Sequence, residues 1–443
     1  MEKLDLVKMP VKKVILLLSI PIMLTSFVQM AYNLTDLIYI GRLGGESIAA
    51  VGTAGSLLWF FDSFFLVCRI GAQVHTAYSI GQGDKEKAKD YIRTSFIMTI
   101  IIWIVIMIFC LIFGDFIIGF FNLKDKYTFD ASKKYLLITI IFGIFNLLNI
   151  AYGALLTAIG NSKDALIISC VGLVFNVILN PIFIFKLNMG VSGAAIATVI
   201  AQIIVFGCFI YFTRKEELFV NIYSEIFKYK IDLSNIKDIL KIGIPTGVQN
   251  LVFAFVGMYI ARMVAEFSVV AIAIQKVGSQ IESLSWLVGE SFAGATASFV
   301  SQNYGAKEYK RIKEGSNFSM IFMCIWGLFT SILLITQPEM LFKIFTKDEF
   351  VIKSGIYYLI ILGFSQIPMC IEITASGIFS GLSNTFPPSI VSGIFNIMRI
   401  PLAYLLIVKY GLNGIWLAIS ISSILKGTVL FIWLKIYEKK IYV

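Results

Sequence analysis

Apolar stretches of about 20 residues or more, parted by short polar segments, follow one another along the whole chain. Twelve can be read, at roughly 14–40, 47–80, 92–121, 135–160, 164–186, 190–213, 238–265, 270–303, 315–342, 354–380, 386–408 and 411–436. Each is long enough to cross a bilayer as a helix, which takes about 20 apolar residues. The pattern is also written twice. Ile20-Pro21 opens the first stretch and Ile244-Pro245 the seventh. "NVILNPIFIF", with Asn176 and Pro181, returns as "NIMRIPLAYL", with Asn396 and Pro401. "GVSGAAIA" from Gly190 returns as "GLNGIWLA" from Gly411, and "GQGDKEKAKD" from Gly81 as "NYGAKEYKRI" from Asn303. The expected fold is an all-α membrane protein of twelve transmembrane helices in two pseudo-symmetric six-helix lobes, residues 1–213 and 238–443. Residues 214–237 form a cytoplasmic linker that includes a short surface helix. Six-helix repeats share one topology, so a pseudo-two-fold along the membrane normal relates them, with a cleft expected between the lobes. Pro21 and Pro245 each remove a backbone donor and weaken their helices at matching places, where bending would close that cleft.

Composition agrees: mean hydropathy is +0.86, and 14% of residues are charged, against about 25% in a soluble domain. The basic start (Lys3, Lys8, Lys12, Lys13) runs straight into the first apolar stretch, so no cleavable leader is expected. The net charge of +10 does not indicate nucleic acid, because the basic residues collect in alternate loops. Lys85, Lys87, Lys89 and Arg93 follow the second stretch, Arg214, Lys215, Lys228, Lys230, Lys237 and Lys241 the sixth, and Lys307, Lys310, Arg311 and Lys313 the eighth. Lys435, Lys439 and Lys440 end the chain. The positive-inside rule then places both termini in the cytoplasm of a multi-pass protein of the cell membrane, with the loop carrying Lys124, Lys126, Lys133 and Lys134 as the main exception. The six cysteines stand singly in apolar segments, without metal or disulfide spacing.

The two copies differ in one respect. The first carries Asp36 amid Leu34, Leu37, Ile38 and Ile40, whereas the second has Ile260 near the matching place. A lone carboxylate in hydrocarbon costs about 2.5–3.5 kcal/mol or more on insertion scales, and is tolerated when paired, protonated or ion-bound. Gln29, Tyr32, Asn33 and Asp36 share a helical face by spacing, as do Asn176 with Asn180 and Thr198 with Gln202. Carbonyl and hydroxyl oxygens around one carboxylate suit a hard cation such as Na⁺, and the same carboxylate serves equally as a proton carrier. The plain alternative is a structural, hydrogen-bonded aspartate.

Together the order and doubling of "YNLTDLIYIGRLG" (Tyr32–Gly44), "AAVG" (Ala49–Gly52), the glycine–acid–lysine turns, "NVILNPIFI" (Asn176–Ile184), "RIPLAY" and "GLNGIW" resemble the multidrug and toxic compound extrusion (MATE) family over nearly the whole chain. The resemblance implies a V-shaped exporter of amphipathic, mostly cationic drugs or toxic compounds, working as an antiporter by alternating access and driven by H⁺ or Na⁺, with no other cofactor. It places Asp36 on the family's essential acid, Tyr32 on its hydrogen-bonding neighbour, Asn176 on the helix 5 ligand and Thr198 on the helix 6 hydroxyl. This chain departs from the family at two points. Asn180 stands where archaeal and DNA-damage-inducible members carry Asp, and Phe253 stands near the helix 7 carboxylate of the NorM-like branch. With one carboxylate left in the pocket, H⁺ is slightly favoured over Na⁺.

Among the remaining polar residues, Gln29, Gln202, Gln275, Glu282, Glu290 and Glu372 are candidates to contact substrate, with packing as the alternative. Asp62 and Arg69, seven apart, are expected to form an internal salt bridge or to gate, and Arg399 to pair with a second-lobe carboxylate. His75 is expected to face the surface. A lipid-linked saccharide flippase of the wider superfamily is the rival reading. It needs a cationic cavity, and the membrane cations counted here are Arg69 and Arg399, fewer than the carboxylates. No nucleophile–base pair or His/Glu metal cluster suggests an enzyme. The chain is expected to work as a monomer among membrane lipids.

Overall fold

The computed structural model describes residues 4–121, 123, 125–220 and 232–441, and all structural statements concern these. The helices are α1 (Val11–Gly41), α2 (Gly45–Gln82), α3 (Lys85–Gly119), α4 (Lys126–Ile141), α5 (Ile144–Ala158), α6 (Ser162–Pro181) and α7 (Gly190–Thr213). They continue as α8 (Leu233–Ala265), α9 (Val269–Gly305), α10 (Tyr309–Thr336), α11 (Pro338–Phe345), α12 (Glu349–Gly363), α13 (Gln366–Gly381), α14 (Phe386–Tyr410) and α15 (Leu412–Ile441). Nine of these are long and apolar enough to span a membrane. Two bent pairs, α4 with α5 at 53° and α12 with α13 at 50°, bring the count to eleven. The remaining long helix of the six-plus-six pattern, α9, turns Glu282, Ser285, Ser291, Thr296, Ser298, Ser301, Gln302 and Asn303 inward, so its apolar character is diluted by residues that never meet lipid.

The short turns follow from their residues. Gly83 closes α2 in the left-handed region at φ 79°, and the Asp84 carboxylate caps α3 by accepting from the Lys87 N–H at 2.9 Å. Pro181 ends the regular turns of α6, since it has no N–H to give, and a π-helical turn over Ile182–Lys186 follows.

The chain forms two compact units, and their boundaries are the two Ile-Pro sites. One unit holds Ile20–Gly243, with Leu4 and Asp5. The other holds Leu6–Ser19 and Ile244–Val443. Each unit therefore takes its own six-helix set from the proline onward, together with the lead-in segment of the other set's first helix. This differs from sequence-expected lobes of 1–213 and 238–443 at residues 6–19 and 238–243. Close packing is the physical reason. In unit 1, Gly71 leaves no room for a Cβ beside the Ile239 carbonyl, and Gly243 none beside the Val67 carbonyl, so the start of α8 lies directly against α2. Tyr91 donates to Asp238 Oδ2 at 2.7 Å, Lys87 donates to Asn235 Oδ1 at 2.7 Å, and His75 Nε2 lies 3.1 Å from the Asp238 carbonyl. His75 is therefore half-buried and stacked on Tyr91, rather than surface-facing. In unit 2, Arg311 donates to the carbonyls of Leu6 at 3.1 Å and Met9 at 2.6 Å, and Asn303 donates to Leu6 at 3.0 Å. The expected short surface helix within 214–237 falls largely on residues outside the described set; just before them, Leu218 and Phe219 are buried in the core of unit 1.

Candidate functional site

Unit 1 gathers polar side chains around Asp36. Asn176 Nδ2 donates to Asp36 Oδ1 at 3.0 Å, Asn180 Nδ2 to the same oxygen at 2.6 Å, and Thr198 Oγ1 to Oδ2 at 3.2 Å. Asn180 also donates to Asn176 Oδ1 at 3.1 Å. One turn earlier on α1, Tyr32 donates to the Thr198 carbonyl at 3.3 Å. Helix geometry accounts for the set. Asn176 and Asn180 are four apart on α6, Tyr32 and Asp36 four apart on α1, and such pairs lie one above the other. Both asparagines are fully buried. The carboxylate thus receives three neutral donors, an arrangement that holds an anion without a cationic partner. The Asn180 Oδ1 atom is buried with no partner beside it.

Two proposed members stay outside. Asn33 is exposed, because three residues set it about 60° from Asp36 around the helix, on the far side from Tyr32. Gln29, two turns from Asp36, is also exposed. Gln202, one turn beyond Thr198 on α7, is engaged by Asn149 of α5, whose Nδ2 donates to its carbonyl at 2.9 Å and its Oε1 at 2.8 Å. Sequence reasoning missed Asn149 and the buried Tyr135 of α4, which lies near both Asp36 and Tyr32. A lone Asn or Tyr in an apolar stretch was the available signal.

Unit 2 has no carboxylate in this place, and Ile260 is buried among apolar neighbours. It carries a different cluster. Gly427 of α15 leaves no room for a Cβ against the Pro368 carbonyl, so α15 and α13 nearly touch. Lys426 then reaches Glu372, one turn beyond Pro368, with Nζ 3.0 Å from Oε2. Ser392 donates to the other Glu372 oxygen at 2.5 Å. Among the described residues Arg399 of α14 has no carboxylate within ion-pair distance, although its charge acts on those of Glu372 and Glu282. Its Nε donates to Ser422 Oγ at 2.7 Å and its Nη2 to Ser423 Oγ at 3.1 Å, and its guanidinium lies 5.9 Å from the Phe253 ring centroid. Lys426 rather than Arg399 meets the second-lobe carboxylate directly. Glu282 of α9 accepts from Gln366 Nε2 at 3.2 Å. All four charged groups are less than a tenth exposed. The residues counted as membrane cations must include Lys426, so this cluster of unit 2 sets two buried cations, Arg399 and Lys426, against two buried carboxylates, Glu282 and Glu372. Sequence reasoning passed over this lysine although it is the lone charge in "ISISSILKGTVLF".

Of the other candidates, Gln275 Oε1 is buried without a partner, and Glu290 is exposed. Asp62 and Arg69 are both exposed on α2, near enough for their charges to interact. Pro21 and Pro245 lie inside α1 and α8, at the boundaries between units.

Comparison with known proteins agrees with this geometry. The MatE family model matches residues 21–182 and 245–405, one match for each six-helix set. A probable multidrug resistance protein NorM of Thermotoga maritima is 26% identical, covering 95% of this chain and 91% of that protein. A FAD transporter of Shewanella oneidensis is 23% identical, covering 96% and 95%. Among solved structures, an outward-facing multidrug resistance MATE transporter superposes with a TM-score of 0.91 at 22% identity, over the full length of both chains. A MOP superfamily transporter from Pyrococcus furiosus, described by a binding pocket of reverse polarity, superposes with a TM-score of 0.90 at 23% identity, again over both full lengths. With its family model repeated across both helix sets and its fold shared end to end, the chain belongs to the MatE (MATE) family, and is a multi-pass membrane transporter and not an enzyme.

Proposed function

We propose that this chain exports amphipathic, mostly cationic drugs or toxic compounds across the cell membrane by alternating access, in exchange for protons carried on Asp36. The observation that carries this reading is the Asp36 cluster itself: one carboxylate, three neutral donors and no second acid. A carboxylate so placed can take and release a proton without rebuilding an ion pair. Protonation would make it a donor, and the Asn180 amide, turned about its side chain, could then present the oxygen that is now unpaired. The multidrug resistance names of full-length relatives support drugs as cargo and count against the flippase alternative. The basic loops support cytoplasmic termini.

Na⁺ is the second reading, and the same Asn180 oxygen favours it, since an unpaired carbonyl beside a carboxylate is a ligand for a hard cation. Proteoliposomes loaded with drug separate the two. An imposed pH gradient without Na⁺ is expected to drive efflux, and an inward Na⁺ gradient with a protonophore present is expected not to. The opposite outcome would make Na⁺ the coupling ion.

A further inference from the structure

Of the four charges clustered in the interior of unit 2, two are joined directly and two are not. Glu372 and Lys426 are joined at 3.0 Å, and Ser392 completes the carboxylate. Arg399 and Glu282 remain. Among the described residues no carboxylate lies within ion-pair distance of Arg399, and no cation within that distance of Glu282. Their charges act on each other, and also on Glu372 and Lys426, but only across a distance, without a direct ion pair. Arg399 directs two of its five N–H groups to serine hydroxyls, and Glu282 receives one amide, from Gln366, with the Tyr358 hydroxyl nearby. Both are more than nine-tenths buried. A buried charge without a counter-charge in direct hydrogen-bonded contact is costly, and the cost is relieved by a partner that supplies that contact.

The surroundings offer more unfilled bonds. Gln366, which holds Glu282 through its nitrogen, is wholly buried, and its Oε1 has no partner. Trp286, four residues after Glu282 on α9, has a buried indole N–H without a partner. Its ring meets Phe253 edge-on with centroids 6.1 Å apart, and Phe253 is the ring that Arg399 approaches. Helices α8, α9, α13 and α14 thus contribute two aromatic rings, an anion, a cation, a free donor and a free acceptor to one region of unit 2.

We propose that unit 2 contains a ligand site for zwitterions, with Arg399 receiving a carboxylate or similar anionic group, Glu282 receiving a cationic group, and Phe253 and Trp286 taking the aromatic body between them. This narrows the export reading, adding zwitterions as preferred cargo of unit 2 beside simple cations, and rests on it for physiological meaning, but binding itself needs neither gradient nor coupling ion. A zwitterion gives both buried charges a direct partner at once, whereas a simple cation leaves Arg399 without one and a simple anion leaves Glu282 without one. The Glu372–Lys426 pair is the fixed part of the cluster and does not exchange.

The test uses two dyes of one skeleton. Rhodamine B is a zwitterion near neutral pH, and its ethyl ester is a cation. Equilibrium binding to the full chain in lipid nanodiscs, read by fluorescence anisotropy against empty nanodiscs, is expected to favour rhodamine B over the ester by about tenfold, the worth of one charge-assisted hydrogen bond. Arg399→Gln is expected to erase that preference by weakening rhodamine B alone, and Glu282→Gln to weaken both dyes. Should Arg399→Gln fail to fold, Arg399→Lys, which keeps the cation, is expected to retain part of the preference. Equal binding of the two dyes to the unaltered chain overturns the proposal, as does an Arg399→Gln variant that binds both as before. Loss of gradient-driven efflux with this dye preference intact would instead fault the coupling assignment at Asp36.

Discussion

The two units carry the same helices and opposite electrostatic designs. Unit 1 surrounds the half-buried Asp36 carboxylate with two amides and a hydroxyl. Unit 2 gathers the carboxylates of Glu282 and Glu372 with the cations of Arg399 and Lys426 in its interior, and ties Glu372 and Lys426 directly together. Neutral donors leave the charge state of Asp36 free to change at little structural cost. The ion pair of Glu372 and Lys426 has no such freedom, because discharging either partner strands the other in the interior. One architecture therefore holds a chemically responsive site in one copy and a rigid charged site in the other.

Removing the responsive group is the most damaging test of that contrast. Asp36→Asn should reduce gradient-driven efflux from proteoliposomes to the rate of empty vesicles, while far-ultraviolet circular dichroism and gel filtration stay unchanged, because the amide oxygen can still accept from Asn176 and Asn180 while its nitrogen donates to the Thr198 hydroxyl. Efflux at the unaltered rate would place coupling elsewhere in the molecule.

The rigid site should fail differently. Lys426→Met leaves Glu372 buried without its cation and is expected to cost about 3–5 kcal/mol of stability, the usual penalty for breaking a buried pair from one side. The double change Glu372→Met with Lys426→Met should recover most of that loss. Thermal unfolding in detergent reads both, and a double variant no more stable than the single one would show that the pair is not a self-contained unit.

Adding an acid to unit 1 makes its site resemble those family members that carry two. Asn180→Asp places a second carboxylate beside Asp36, so the pocket would need a cation to balance it. Efflux driven by Na⁺ should rise relative to efflux driven by a pH gradient. An unchanged ratio would mean that residue 180 does not govern the ion.

The lead-in segments offer the mildest comparison. Tyr91→Phe deletes the hydrogen bond to Asp238 while keeping the ring on His75. A loss of about 1 kcal/mol is expected. Arg311→Gln removes two carbonyl contacts to Leu6 and Met9 at once and should cost more. Hydrogen exchange of residues 6–19 and 233–243 would report each release separately.

The doubled helix pattern, the prolines and the position of Asp36 were all legible in the sequence, because hydrophobic period and side-chain identity are local properties. The partners of Asp36 were also legible, since a four-residue spacing brings Asn176 and Asn180 to one face whatever packs against it. Asn33 shows the limit: helical spacing admits residues three and four apart alike, and only the angle at which α1 meets α6 excludes one. Tertiary structure alone decided which cation meets Glu372. Arg399 and Lys426 are both single charges in apolar stretches, and the choice follows from Gly427, which lets two backbones close to contact and sets Lys426 beside the carboxylate. The same kind of contact, through Gly71 and Gly243, moved the unit boundary from the polar linker to the Ile-Pro sites. A missing side chain is silent in a hydropathy pattern, and it acts only when another backbone arrives to use the space.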